Sequence, residues 1–213
     1  MSEKKIEIKA IKIGLLGDSK VGKSAICHSF TNVEFDFGSN VTTIGSDRFE
    51  SKVLLKNNKE IKLILWDTAG QERFRSAAFK TIKSVHGIAL VFDVTSKESF
   101  NNVSLWLDDI KDNFDNPCIV LFGNKIDIEK DKWEVKPEEV KQLVEERKLS
   151  YFETSAKNKI GINEGFIHIA NEAYVKLGGK LEEPENKIEL NGKKKRKKSG
   201  GCFGGKNKDK EKK

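Results

Sequence analysis

Gly17-Asp18-Ser19-Lys20-Val21-Gly22-Lys23-Ser24 places Lys and Ser directly after the second of two glycines. An apolar run, Ile8 to Leu16, precedes it, and a helical pattern, Lys23 to Phe30, follows. This arrangement suits a polyphosphate. Backbone N–H groups from Ser19 through Ala25 curl around the β-phosphate, and the helix N-terminus adds partial positive charge. Lys23 reaches the β- and γ-phosphates, while the Ser24 hydroxyl is a hard oxygen ligand for Mg²⁺. The motif alone leaves the base open.

Two further stretches address the base. Asn124-Lys125-Ile126-Asp127 follows the apolar run Ile119 to Phe122, and Thr154-Ser155-Ala156-Lys157 follows the short run Tyr151 to Glu153. Guanine presents N1–H and an exocyclic amine side by side, and the Asp127 carboxylate can accept from both. Adenine would leave that carboxylate unpaired, a mismatch that discriminates strongly. The Ala156 N–H can donate to the guanine O6, and the Lys125 and Lys157 stems can sandwich the ring. Asn124 is expected to tie the loops together, and Phe35 or Phe37 to stack on the other edge of the base. A kinase or ATPase reading is disfavoured by this pair.

A fourth stretch, Trp66-Asp67-Thr68-Ala69-Gly70-Gln71-Glu72, carries the reaction. Asp67 can hold Mg²⁺ through water. The Gly70 N–H can bond the γ-phosphate, and Gln71 can orient an attacking water. Thr43 can supply a second hydroxyl to the metal. A loop ordered only while the γ-phosphate is present is bistable, so cleavage changes what the protein binds.

The elements that must hold these loops alternate strand-like and helix-like segments, which predicts an α/β fold: a doubly wound, six-stranded, mostly parallel sheet with helices on both faces. Arg48 to Lys56 and Glu60 to Trp66 read as a hairpin turning at Asn57-Asn58. Ile88 to Val94 suits a strand covered on both faces. Phe100, Val103, Trp106, Leu107, Ile110 and Phe114 share one helical face. Pro137 opens another helix, and Ile162 to Leu177 forms the last, ended by Gly178-Gly179. Residues 5–178 are expected to be the folded domain, and residues 179–213 a disordered basic tail.

Charge supports that division. Residues 180–213 hold 13 Lys/Arg against 6 Asp/Glu, which accounts for the whole chain's net +7. The preceding residues are neutral, so a nucleic-acid groove on the domain is not expected. Three widely spaced cysteines, Cys27, Cys118 and Cys202, suggest neither a zinc site nor a disulfide framework, and point to the cytosol. No apolar run reaches the ~20 residues of a membrane span.

The order of these motifs resembles the Ras superfamily, and WDTAGQERFR (Trp66 to Arg75) resembles its Rab-like members, with similarity from about Lys9 to Leu177. The resemblance implies a P-loop GTPase switch in vesicle traffic. It further implies an exchange factor, a GTPase-activating protein and effectors of the GTP form. The alternative is a nucleotide-bound scaffold with little hydrolysis. In Ras a supplied arginine speeds hydrolysis roughly 10⁵-fold. No arginine in cis is evident here, Arg73 and Arg75 being surface or packing residues.

The chain departs from the Rab pattern in four places. The Ser24–Thr43 spacing is one residue longer than is usual for a Rab, and one more residue follows Gly45, so Phe49 falls at the effector-binding Phe and is expected to form a surface with Ile44 and Trp66. Thr81-Ile82 stands where two tyrosines are usual. Lys20 replaces a small residue and is expected to face solvent. Cys202 is followed by eleven residues, so it fits no prenylation pattern. The run Lys193 to Lys198 before it suits an anionic membrane. Lipid on Cys202 would add a second anchor on the cytosolic face of an endomembrane.

Overall fold

The structure, a computed structural model, describes residues 8–36, 43, 45–69 and 75–181. Strands β1 (Ala10–Leu16), β2 (Ser46–Leu54), β3 (Glu60–Thr68), β4 (Gly87–Asp93), β5 (Cys118–Asn124) and β6 (Ser150–Glu153) form one sheet in the order β2-β3-β1-β4-β5-β6. Only β2 and β3 run antiparallel to each other; the other pairs are parallel, as expected.

Helices α1 (Lys23–Thr31), α2 (Arg75–Thr81), α3 (Lys97–Asn113), α4 (Pro137–Arg147) and α5 (Ile162–Lys176) cover both faces. One core joins α1 and α5 to Ile11, Ile13, Leu63, Leu65, Val91 and Phe122. The other joins α2, α3 and α4 to Leu16, Ile88, Leu90, Phe92 and Leu121. Every β4 residue is buried, which explains its unbroken apolar sequence. In α3 the periodic residues through Ile110 are buried, but the helix stops at Asn113 and Phe114 is its extended C-cap.

Local chemistry sets the boundaries. The Ser96 hydroxyl caps α3 by accepting from the Ser99 N–H. Pro137 begins α4, where its missing N–H costs nothing. After α5, Gly178 adopts φ 87° and the Gly179 N–H returns to the Tyr174 carbonyl. The hairpin turns through Asn58 at φ 58°, as expected, although β2 starts and ends two residues earlier than its composition suggests.

The pairing of β2 corrects one expectation. Arg48 lies opposite Trp66, and Phe49 lies opposite Leu65. Neighbours along a strand face opposite sides, and directly paired residues share a side. Phe49 therefore packs on the α1 core, while Trp66 packs on the α2–α3 core. The two aromatics do not share a surface. The register instead sets Arg48 opposite Trp66.

Candidate functional site

The loops gather beyond the C-terminal ends of β1, β3, β5 and β6, the usual binding edge of an open parallel sheet. The first loop is shaped by its backbone. Gly17 has φ 135°, and a Cβ there would meet the Val91 carbonyl oxygen at 2.1 Å. Gly22 has φ 101°, and a Cβ there would press on the Asn124 amide at 2.3 Å. Lys20 also has positive φ, 66°, and its side chain is exposed as expected. Val21 is buried, and Ala25 lies in the first turn of α1.

Lys23 is buried, and its ammonium donates to the Gly17 and Asp18 carbonyls at 2.9 and 2.7 Å. Burial lowers its pKa to about 8 against the opposing pull of Asp67 and Asp18. The ammonium is thus aimed at the loop it would share with phosphate oxygens.

Beside it, the Ser24 hydroxyl donates to Asp67 Oδ2 at 2.5 Å and lies 2.8 Å from the Thr43 hydroxyl. Thr43 also reaches Asp67 Oδ2, at 3.4 Å. Asp67 is buried, which raises its pKa, and its Oδ1 lacks a hydrogen-bond partner among the described residues. Two hydroxyls and a carboxylate with an orphaned oxygen make a hard-oxygen donor set that fits Mg²⁺. Ser24, Thr43 and Asp67, converging here from three separate segments, are the residues that would hold it. Bound there, Mg²⁺ would neutralise phosphate charge.

The loops after β5 and β6 are brought together as expected. The Asn124 amide donates to the Val21 carbonyl at 2.9 Å, and its Oδ1 accepts from the Ala156 N–H at 3.2 Å. One side chain thereby joins the phosphate loop to the loop after β6. Ser155 donates to Asp127 Oδ1 at 2.6 Å, which orients that carboxylate. Lys125, at φ 70°, pairs with Asp93 at 2.5 Å. Lys157 is exposed on the adjoining turn. The Phe35 ring packs on His28 with centroids 5.1 Å apart. Phe37, Ile44, Gly70, Gln71, Arg73, Lys193 to Lys198 and Cys202 lie outside the described residues.

Two residues of α3 join the site unforeseen. Asn102 and the Trp106 indole donate to the two Asp18 carboxylate oxygens, at 2.7 and 2.8 Å. They clamp the phosphate loop from the side. Trp106 reads as core in the helical pattern and is indeed buried; its single polar atom was the available signal.

The Ras family model matches residues 12–175. Ras-related protein RABD1 of Arabidopsis thaliana is 38% identical across 91% of this chain and 95% of its own length. The chain is a member of the Ras family. GTP-binding protein yptV2 of Volvox carteri is 41% identical over 79% of this chain and 77% of its own. Ras-related protein Rab-13 of Rattus norvegicus is 38% identical over 79% and 82%. Within the Ras family the chain is Rab-like. Like its family it is a GTPase that binds GTP or GDP with Mg²⁺ and works through exchange factors, GTPase-activating proteins and effectors. Among the described residues no helix is long and apolar enough to cross a membrane.

Proposed function

We propose that this Rab-like GTPase is a switch of intracellular vesicle traffic, held peripherally on the cytosolic face of an endomembrane by its basic tail. The observation that carries the switch is the meeting of Thr43 with Ser24 and Asp67. Thr43 comes from the stretch between α1 and β2. A tether from that stretch to the metal and γ-phosphate is what a nucleotide-dependent conformation requires.

In this reading Ser19 through Ala25 cradle the phosphates, and Lys23 neutralises them. Asn124, Asp127, Ser155 and Ala156 select guanine, with Lys125 and Lys157 flanking the ring and Phe35 at its edge. Gln71 orients the water that attacks the γ-phosphorus, and the Gly70 N–H senses loss of the phosphate. Effectors of the GTP form meet Ile44 and Trp66 next to Arg48, so their contact is more polar than an aromatic surface would be. Lys193 to Lys198 add up to about 1 kcal/mol each at an anionic surface. Lipid on Cys202 would make the attachment stable.

The test begins with the purified full chain. Acid releases its nucleotide for identification, and phosphate release is followed after loading with GTP and Mg²⁺. Bound GDP and slow cleavage, lost in Gln71→Leu, support the switch. Equal inertness of both proteins would turn the assignment to the scaffold. Displacement of GTP by equimolar ATP would overturn the guanine site.

A further inference from the structure

The β2 register does more than remove Phe49 from the Trp66 surface. It delivers the ring to α1, where Phe49 meets His28 edge-on with centroids 4.9 Å apart. The same imidazole contacts Phe35, at 5.1 Å. All three rings are half-buried, and both phenylalanines pack against the core between α1 and the sheet. His28 Nδ1 is buried with no hydrogen-bond partner among the described residues, so no bond at that atom fixes the imidazole against the two rings.

The segment carrying Phe35 is bound to the base side of the site. Helix α1 ends at Thr31, and Asn32 turns the chain back at φ 55°. The Asn32 side chain accepts from the Lys159 ammonium at 2.9 Å, next to the Ser155–Lys157 loop. The Val33 N–H returns to the His28 carbonyl at 3.0 Å. Phe35 thus hangs on a short arm between the base-recognition loop and His28, and Phe49 supports His28 from the sheet.

We infer that Phe49 is a positioning residue for nucleotide retention, acting through His28 to hold Phe35 at the guanine edge. The inference rests on the reading of Phe35 as a base-stacking residue. Removing the Phe49 ring frees the imidazole to move into the vacated space. Phe35 then follows it, and the base loses a side wall. Aromatic pairs of this kind correspond to roughly two- to twelve-fold in an equilibrium or a release rate.

The experiment follows release of a fluorescent GDP from the full chain with Mg²⁺ and excess unlabelled GDP. Phe35→Ala accelerates release, which tests the stacking role by itself. Phe49→Leu accelerates it roughly two- to twelve-fold, the factor set by the ring pair. Phe49→Tyr, which keeps the ring, stays near the parent rate. Lys52→Ala, on the opposite side of the same strand, also leaves the rate unchanged.

The double variant Phe35→Ala/Phe49→Leu releases no faster than Phe35→Ala alone, because Phe49 acts through Phe35. Full multiplication of the two effects would make Phe49 merely structural and overturn the inference. So would acceleration by Phe35→Ala with none by Phe49→Leu, which leaves the stacking role standing. If Phe35→Ala itself has no effect, the stacking role and the inference both fail. Nucleotide content and the melting temperature of each variant identify any that does not fold, and Phe49→Tyr against Phe49→Leu then decides the question.

Discussion

Lys23 shows how one residue links burial to ligand chemistry. Without nucleotide its pKa sits near 8, because burial penalises the charge. A phosphate beside it favours the ammonium. Above that pKa the free protein has lost a proton that the complex keeps, so binding takes up a proton and weakens as pH rises. Calorimetry of GDP binding in two buffers of different ionisation heat, at about pH 8.5, is expected to show that uptake. The uptake is expected to fade as the pH falls below about 8. Equal heats at the higher pH would mean Lys23 is already charged when free. The same fold without ligand obeys the opposite constraint. A lowered lysine pKa favours the unfolded chain while that chain is protonated, so this residue's penalty shrinks as pH rises from about 8 toward 10.5.

Asp67 makes the complementary prediction at the metal. Its Oδ2 already serves Ser24 and Thr43, and its Oδ1 has no hydrogen-bond partner among the described residues. Asp67→Asn keeps an oxygen for the hydroxyls but removes the charge. Mg²⁺ is expected to slow GDP release from the parent protein, and the variant is expected to release at one rate in Mg²⁺ or chelator. Persistent Mg²⁺ sensitivity would place the cation elsewhere.

At the scale of elements, α3 is more than a wall of the core. Its Asn102 and Trp106 hold the Asp18 carboxylate, so the phosphate loop is braced against a 17-residue helix. Trp106→Phe preserves most of the buried ring and removes one hydrogen bond to a charged group, an interaction worth about 1.5–3 kcal/mol. Urea unfolding of the GDP-bound protein should register that loss, with little change in the denaturant slope. An unchanged midpoint would mean that Asp18 finds another donor. Helix α5 is constrained differently. A Cβ on Gly165 would lie 2.2 Å from the Phe122 ring, so the helix approaches β5 only because this residue is glycine. Gly165→Ala is expected to destabilise by about 1–3 kcal/mol through overpacking, read by the same titration.

Element placement also explains why Phe49 does not share a side with Trp66. Its type and position match an effector aromatic, but side chains alternate along a strand with period two. A one-residue shift of register turns the whole set over, and only the partner strand reveals which way. The register with β3 puts Leu63, Leu65 and Phe49 on the α1 side. Arg48, Glu50 and Lys62 then occupy the other side, where Glu50 pairs with both cations. Similarly, Phe114 fits the α3 periodicity, yet the helix has ended one residue before it.

For the molecule as a whole, charge is divided along the chain: residues 1–179 are neutral and the remainder carries +7. Basic residues near an anionic surface act additively until salt screens them. The full chain is expected to co-sediment with vesicles containing phosphatidylserine at low salt, and to lose that binding at high salt. Replacing Lys193 to Lys198 with glutamine should abolish it while leaving GTP cleavage intact. Binding unaffected by these substitutions would assign membrane contact to another part of the chain.

The chemistry of this protein was determined largely by sequence. Phosphate, metal and guanine recognition depend on backbone turns and on specific donors and acceptors at short spacing, and a turn is local. The roles proposed for Gly17 to Ser24, Asn124 to Asp127 and Ser155 to Lys157 were therefore legible before any fold was considered, and alternating apolar runs disclosed the doubly wound sheet. Tertiary structure decided what depends on long-range partners. It placed Thr43 on Ser24 and Asp67, Trp106 on Asp18, and Phe49 on His28 rather than beside Trp66. Those contacts join residues many positions apart, and strand register and helix packing, set by burial across the whole sheet, determine which side chains meet.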